Sequence, residues 1–261
     1  MTTNPTNNQP LTFWEHLDEL RSSLIRIVLS IIVFGFVAFG FKTQLFDVLL
    51  APKYNDFITY RLINKLIDTQ ISDFSVNLIN TGLAQQFMIH LKAAFAVGFL
   101  CASPYILYVL FKFVSPALYA NERRTSLRLV SAGYLMFLLG VALNYFLIFP
   151  LTFRFLGTYQ VATEIPNMIT LESYMSTLLM LSLMMGVMFE LPILSWLLSA
   201  FGLLNADFMR QYRKHAIVVI LIIAAVITPT SDVFTLSIVS IPIYLLYEVS
   251  IGIVKKVESK E

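Results

Sequence analysis

The sequence predicts an all-α membrane protein whose six transmembrane helices form a concave bundle with both termini on the inner side. Of its 261 residues, 57% are apolar and only 13% are charged, whereas soluble domains are about 45–50% apolar and about 25% charged. The mean hydropathy is +0.76. Apolar runs also recur along the chain at about the 20-residue length that a helix needs to cross a bilayer.

Six apolar segments account for the predicted spans. The first three, residues 24–41, 87–111 and 127–149, are continuous apolar runs. The fourth, residues 174–204, is long enough to cross with tilt and contains Glu190 and Pro192. The last two helices, predicted to be short, are residues 216–228 and 233–254. The chain is therefore predicted to form a single membrane domain over residues 1–261.

Arginine and lysine predict the orientation, because they accumulate in cytoplasmic segments. With the N-terminus inside, twelve fall in inner segments and six in outer segments or at an outer helix end. The inner ones are Arg21, Arg26, Lys112, Arg123, Arg124, Arg128, Arg210, Arg213, Lys214, Lys255, Lys256 and Lys260, and the outer ones are Lys42, Lys53, Arg61, Lys65, Lys92 and Arg154. The predicted topology is N-in and C-in.

Two outer loops and three prolines shape the predicted bundle. The first loop, residues 42–86, has apolar pairs at 57–58 and 62–63 that are spaced as in an amphipathic helix, so it is expected to lie against the outer membrane face. The second is residues 150–173. Pro104, Pro192 and Pro242 fall inside predicted spans, where a missing N–H can kink a helix, although prolines are also generally more common in membrane helices than in soluble ones.

Several function classes are excluded. A net charge of +2 leaves no basic face for nucleic acid. Cys101 is the single cysteine, so neither an intramolecular disulfide nor a cysteine metal cluster is expected. The sequence contains no Gly-x-Ser-x-Gly or His-Glu-x-x-His motif and no paired intramembrane aspartates. We therefore expect neither an enzyme nor a bound cofactor or metal.

Glu190 is the only acidic residue deep in the fourth span. A charged group at that depth costs several kcal/mol of free energy unless it is paired, protonated or hydrated. Two interpretations stay open. A protonated Glu190 could donate a hydrogen bond to a carbonyl freed by Pro192, or Glu190 could line a cavity that a polar ligand enters. With Glu248 of the sixth span, it could also serve a proton- or cation-coupled transporter of a small solute.

Two polar segments on the inner side stand out from the apolar spans. The first is His-Leu-Asp-Glu-Leu-Arg at residues 16–21, where acids would also complement the dipole of a helix start. The second covers residues 113–124 and begins at Phe113. Within it, Asn121 could cap the third helix, and Arg123 and Arg124 could be positive-inside anchors. The acid Glu122 beside these cations is the unusual feature.

These segments resemble the TatC family, the polytopic receptor subunit of the twin-arginine protein translocase. The family element H-L-x-E-L-R is similar to residues 16–21, and F-x-x-P-A-L-Y-x-x-E-R-R is similar to residues 113–124. Its F-E-L-P stands at residues 189–192, and its T-P-x-D-x-F turn stands at residues 228–234 with one extra residue. One departure is Leu236, where many members carry a glutamine thought to help place the small single-span partners.

The resemblance implies a receptor in the bacterial cytoplasmic membrane that binds twin-arginine signal peptides of folded cargo at the inner face. It also implies assembly with TatA-type and TatB-type single-span proteins and with other copies of the chain, transport driven by the proton-motive force, and no covalent reaction. Glu19 and Glu122 would receive the two guanidinium groups, since carboxylates pair with them in fork geometry. Phe113 would pack nearby and Arg21 would orient the acids.

By the same resemblance, Glu190 and Pro192 would line an intramembrane groove. Thr228, Asp232 and Phe234 would take part in partner docking, although turn chemistry and helix capping also explain the first two residues.

Overall fold

The computed structural model describes residues 13–67, 76–114, 123–162, 164, 167–230 and 232–259. The chain begins with α1 (Phe13–Gly40), α2 (Lys42–Leu50), α3 (Ile58–Ile67), strand β1 (Leu78–Ile79) and α4 (Gln85–Val114). It continues through α5 (Arg123–Leu143), a π-helical segment (Asn144–Ile148), α6 (Phe149–Thr158) and strand β2 (Ile169–Thr170). It closes with α7 (Leu171–Met188), α8 (Leu191–Ala200), α9 (Ala206–Gln211), α10 (Arg213–Ile227) and α11 (Val233–Glu258).

The predicted all-α membrane fold is confirmed. Among the described residues, five stretches are long and apolar enough to cross a bilayer: Leu17–Gly40, Gln85–Phe113, Leu129–Thr158, Leu171–Ala200 and Val233–Glu258. The fifth predicted helix is short, since α10 has 15 residues. The sixth was wrongly predicted to be short: α11 has 26 residues, because the helix continues through Lys255 and Lys256 beyond its apolar run.

The fourth predicted span is two helices. α7 ends at Met188, Phe189 and Glu190 form a turn, and α8 begins at Leu191. The interruption predicted at Pro192 takes the form of this break, but without the expected loss of a helical hydrogen bond: Pro192 lies in the first turn of α8, where the missing N–H has no helical partner to lose. Pro104 and Pro242 do lie inside α4 and α11, as predicted.

Both predicted outer loops contain helices. Residues 42–67 form α2, one turn of 3-10 helix and α3, which confirms the amphipathic helix expected there. Residues 150–158, predicted as loop, instead prolong the third span as α6. Strands β1 and β2 pair in parallel, Leu78 with Ile169 and Ile79 with Thr170, and so join the two loops. We call this side of the bundle the cap end, and the side where α1 begins and α11 ends the terminal end.

Hydroxyl groups fix the cap to the bundle. They donate to backbone carbonyls of the last turn of α2, of the 3-10 turn that follows it and of α6: Tyr145 Oη to Val48 O at 2.6 Å, Tyr174 Oη to Leu49 O at 3.0 Å, and Tyr60 Oη to Pro52 O at 3.1 Å and to Pro150 O at 3.0 Å. Thr59 also donates to the carbonyl of Phe146 in the π-helical segment. Because a π-helical turn shifts the backbone ladder by one residue, it exposes a carbonyl that α3 can use.

α1 and α4 pack as an antiparallel pair through two glycines. A Cβ atom built on Gly98 would lie 2.6 Å from Gly35 N, so no side chain fits between the two backbones. This close approach gives the register of the pair. Farther along the chain, a buried core joins α7, α10 and α11 around Leu181, Met185 and Ile243.

Candidate functional site

The first predicted site residues lie at the terminal end. Glu19 is half-buried in the second turn of α1, Arg21 is exposed, and Phe113 is half-buried in the last turn of α4. Glu19 lies sixteen residues before Gly35, and Val114 lies sixteen residues after Gly98. Since the two glycines face each other in an antiparallel pair, Glu19 and the end of α4 lie at the same level, about 24 Å from the glycine contact.

Glu19 and Arg21 of α1 do not form an ion pair with each other. Neither Glu19 nor Arg21 takes part in any of the four ion pairs between described residues. Glu122 lies outside the described residues, and α5 begins at the next residue, Arg123. The structure therefore places three of the four predicted recognition residues, Glu19, Arg21 and Phe113, at one level of the terminal end.

Glu190 occupies the turn between α7 and α8. Its side chain is half-buried, and its Oε1 atom is buried without a hydrogen-bond partner among the described residues. Its Oε2 lies 3.1 Å from the point where a Cβ of Gly133 would stand, and Leu107 Cδ1 lies 3.5 Å from that point. The carboxylate thus faces α5 and α4. The predicted bond from Glu190 to a carbonyl freed by Pro192 is absent from the described structure.

A close contact between α5 and α7 positions this turn. A Cβ atom on Gly140 would lie 2.5 Å from Met185 O and 2.8 Å from Phe189 Cγ. In the same way, a Cβ on Gly186 would lie 2.6 Å from the ring of Phe137. The two helices therefore meet with no room for side chains at these glycines, and Phe189, the neighbour of Glu190, is buried against α5.

The α5 side of this contact forms one stripe, which we call the glycine face: Gly133, Phe137, Gly140 and Asn144. Spacings of four, three and four residues keep these positions on one side of a helix. Asn144 extends the stripe into the π-helical segment, where its Nδ2 donates to Ser182 Oγ at 2.8 Å. Our sequence reasoning missed the glycine face, although its periodicity was the signal that could have revealed it.

Turn and capping chemistry holds the α10–α11 connection. Asp232 caps α11 by accepting from Thr235 N at 2.7 Å. Burial alone would raise the pKa of Asp232, but the polar groups around the carboxylate, among them the backbone N–H of Thr235 that donates to it, outweigh burial and leave the pKa below its ordinary value. Thr228 is buried, and its Oγ1 donates to Ala224 O at 2.9 Å. The capping prediction for this turn is confirmed.

The other residue predicted at this turn also has a packing role. Phe234 stacks on Phe155 of α6, with ring centroids 3.9 Å apart. Leu236, which stands where the family often has glutamine, is partly buried in the core of α7, α10 and α11. The turn is thus tied to α6 on one side and to the core on the other.

The second intramembrane acid is already paired. Glu248 Oε2 lies 2.7 Å from Arg213 Nη2, and Glu248 Oε1 accepts from Tyr244 Oη at 3.0 Å. A paired carboxylate is a poor proton or cation site, because a bound ion would have to displace its partner. In the described ranges, no group of three His, Cys, Asp or Glu residues is placed to hold a metal ion.

The family profile, the related sequences and the solved structures all identify the same family. The family profile described as Sec-independent protein translocase protein (TatC) matches residues 15–242. A TatC protein of Blattabacterium sp. subsp. Periplaneta americana is 36% identical, with 99% of each chain covered. TatC of Aquifex aeolicus is 33% identical, with 97% of each chain covered, and TatC of Escherichia coli O6:H1 is 32% identical, with 94% of this chain and 88% of the relative covered.

Solved structures agree with the sequence comparison. A crystal structure described as Twin Arginine Translocase Receptor- TatC superposes with a TM-score of 0.77 at 33% identity, and the match covers 94% of this chain and 100% of that one. Both the family profile and these relatives extend over most of the helices described above. The chain is a multi-pass membrane protein that belongs to the TatC family of Sec-independent protein translocase proteins.

Proposed function

We propose that this chain is the core receptor subunit of a twin-arginine translocase, which binds twin-arginine signal peptides of folded proteins at the inner membrane face. The observation that carries the proposal is the placement of Glu19 level with Phe113 at the terminal end. The similar crystal structure is itself described as a twin-arginine translocase receptor. Binding involves no covalent step, so the chain acts as a receptor and not as an enzyme.

Recognition uses charge and shape together. Two consecutive arginines carry two planar guanidinium groups, and each can form two parallel hydrogen bonds with a carboxylate. Glu19 supplies one carboxylate from α1, and Glu122 supplies the other from just before α5. Phe113 provides an apolar wall beside them, and Arg21 orients the acids. Lysine, as a point charge, cannot reproduce the paired bonds.

The apolar part of the signal peptide, or a partner helix, meets an intramembrane groove at Glu190 and Pro192. In support, Glu190 Oε1 has no hydrogen-bond partner among the described residues and faces the helix pair α4 and α5. A carboxyl group that has no hydrogen-bond partner in an apolar setting is stabilised by any ligand that brings a polar group to it. Pro192 starts α8 directly after it and so fixes where the turn ends.

TatA-type and TatB-type single-span proteins dock near the α10–α11 turn, at Thr228, Asp232 and Phe234. This turn suits docking because its capping bond and its ring stacking on α6 hold it in one shape. A preformed surface loses little conformational entropy on binding. Further copies of the chain complete a multimeric receptor, and the proton-motive force drives transport.

The topology that this function requires is N-in and C-in in the cytoplasmic membrane of a bacterium. Besides the five long spans, the topology then needs one more crossing, the fifth in chain order, which is α10; its 15 residues span about 22 Å, less than the roughly 30 Å of the hydrocarbon core. A short helix is accommodated by local thinning of the bilayer and by long basic side chains that reach the headgroups. Arg213 and Lys214 stand at its start and can do so.

The test is the substitution Glu122→Gln. Losing one charge-assisted pair removes about 1.5–3 kcal/mol, a ten- to hundredfold loss of affinity. We expect weaker binding of a twin-arginine peptide, measured by photocrosslinking from Phe113 in native membranes, and a much smaller change for a twin-lysine peptide. Glu164→Gln, an exposed acid between α6 and β2, is the matched control and should change neither.

Equal weakening of both peptides, or no weakening of either at normal abundance of the variant, would contradict the proposal and make Glu122 a structural residue. The solute-transporter alternative is not favoured, because Glu248 is engaged by Arg213 and the family is one of protein translocases.

A further inference from the structure

A basic corner lies where α9 and the start of α10 pack along the end of α11. Three polar contacts hold it together: Ala206 N donates to Glu258 Oε1 at 2.8 Å, Tyr247 Oη donates to Met209 O at 2.7 Å, and Arg213 Nη2 lies 2.7 Å from Glu248 Oε2. The start of α9 thus meets the last turn of α11, whereas Met209 and Arg213 meet α11 about ten residues earlier, at Tyr247 and Glu248. The two segments are therefore antiparallel and bring their charged residues onto one surface at the terminal end.

Cations outnumber acids on this surface. Residues 205–215 and 244–259 carry five lysines and arginines against three carboxylates. Two of those carboxylates are already used, since Glu248 pairs with Arg213 and Glu258 accepts the backbone N–H of Ala206. The third carboxylate, that of Asp207, is exposed, and its Oδ1 atom lies 3.5 Å from Arg210 Nη1.

None of the three lysines of the corner takes part in an ion pair among the described residues. They are Lys214, Lys255 and Lys256. Lys214 follows Arg213 directly. Lys255 lies seven residues after Glu248, which is close to two helical turns and so nearly the same face of α11. Lys214 is therefore adjacent in sequence to Arg213, Lys255 lies about 10 Å along α11 from Glu248, and neither lysine forms an ion pair with a described acid.

Exposed rings run next to these cations. Phe208 and Tyr212 are 51% and 41% exposed, with ring centroids 4.6 Å apart, and the His215 ring lies 5.4 Å from that of Tyr212. Aromatic rings with a polar edge favour the membrane interface, and basic side chains on an interfacial helix favour anionic headgroups. The arrangement is that of a surface lying at headgroup depth.

The short length of α10 determines how deep in the membrane the basic corner lies. Its 15 residues reach about 22 Å, and apolar residues beyond its first turn, such as Val218, Ile222 and Val226, are more than half exposed. Lipid must cover that surface in a bilayer, so the start of α10 is drawn toward the hydrocarbon. A cation in that position needs an anion at the same depth, and the phosphate of a lipid headgroup is the anion present there.

We propose that the basic corner, formed by Arg210, Lys214 and Lys255 beside Phe208 and Tyr212, binds the headgroup phosphate of an anionic phospholipid in the leaflet at the terminal end. The site holds the short α10 at its proper depth against α11. This inference does not depend on signal-peptide recognition, which uses α1, the end of α4 and the segment before α5.

The experiment titrates the full chain in detergent with dioleoylphosphatidylglycerol and measures bound lipid by native mass spectrometry. Dioleoylphosphatidylcholine and soluble glycerol 3-phosphate are separate arms. We expect preferential retention of the anionic lipid. Each lysine near an anionic surface contributes about fivefold in affinity, so Lys214→Gln with Lys255→Gln should weaken binding about 25-fold. Lys42→Gln with Lys112→Gln removes the same charge from exposed lysines elsewhere and should leave binding unchanged.

Three results would overturn the inference. They are equal binding of the two lipids, equal affinity of the two double variants, and glycerol 3-phosphate binding as tight as the anionic lipid, which would indicate a site for soluble anions. If the double variant unfolds at a lower temperature than the wild type, Lys214→Gln alone replaces it, with about fivefold weaker binding expected. Unchanged lipid binding by that single variant would also count against the site.

Discussion

Substituting Gly140 tests how the glycine face positions Glu190. An alanine Cβ at this position would lie 2.5 Å from the carbonyl oxygen of Met185 and 2.8 Å from the ring of Phe189. Nonbonded carbon contacts are favourable at about 3.5–4.0 Å, so α5 and α7 must separate by about 1 Å. The nearest atom belongs to the backbone and cannot rotate away, and overpacking of this kind destabilises by about 1–3 kcal/mol.

The assay is thermal unfolding of the full chain in detergent. Gly140→Ala should lower the unfolding temperature by about 3–10 °C, at about 2–4 °C per kcal/mol for a chain of this size. Gly252→Ala is the matched control: it lies in α11, and a Cβ there meets no atom within 4 Å. Since alanine favours a helix over glycine by about 1 kcal/mol, the control should be neutral or slightly stabilised.

A second readout addresses the site. The strained atoms belong to Met185 and Phe189, and Glu190 follows directly, so Gly140→Ala should also reduce cargo export while Gly252→Ala does not. Equal unfolding temperatures for the two variants would refute the packing argument. A lower unfolding temperature with normal export would refute the link between the glycine face and Glu190.

Three further outcomes are expected. Glu190→Ala should impair export of a twin-arginine cargo while membrane insertion and peptide crosslinking stay near normal, and normal export would make Glu190 a structural residue. In a chain without its native cysteine, cysteines at Asn7 and Glu258 should be shielded from an impermeant outer reagent while one at the exposed Leu83 is labelled; labelling at Asn7 would exclude the N-in topology. Asp232→Ala removes a helix cap and should lower the free energy of unfolding at pH 7 by about 1 kcal/mol, which is measured as a lower unfolding temperature. Because hydrogen bonding lowers the folded-state pKa of Asp232, its stabilisation is present above the ordinary value of 3.8 and is lost as the pH falls through the folded pKa, so the two melting temperatures should converge at acidic pH.

The sequence by itself determined the membrane class, the approximate positions of the spans and the family. Hydropathy is a sum over neighbouring residues, so a run of about 20 apolar residues indicates a bilayer span whatever surrounds it. The family motifs around Glu19, Glu122 and Glu190 are likewise short and contiguous. Helix capping at Asp232 was predictable for the same reason, because the capping carboxylate and the backbone N–H that donates to it lie three residues apart.

Contacts between distant segments were decided only in the tertiary structure. Pro192 indicated an interruption of the fourth span, but its division into two helices at Phe189 and Glu190 was not predicted, because an apolar run has the same hydropathy whether it forms one helix or two. The pairing of Glu248 with Arg213 and the packing of Gly140 on Met185 join residues 35 and 45 positions apart. Such pairs depend on which helix faces come together and how closely their backbones approach. Hydrophobicity places each helix in the membrane, but shape and charge complementarity between helices select its neighbours.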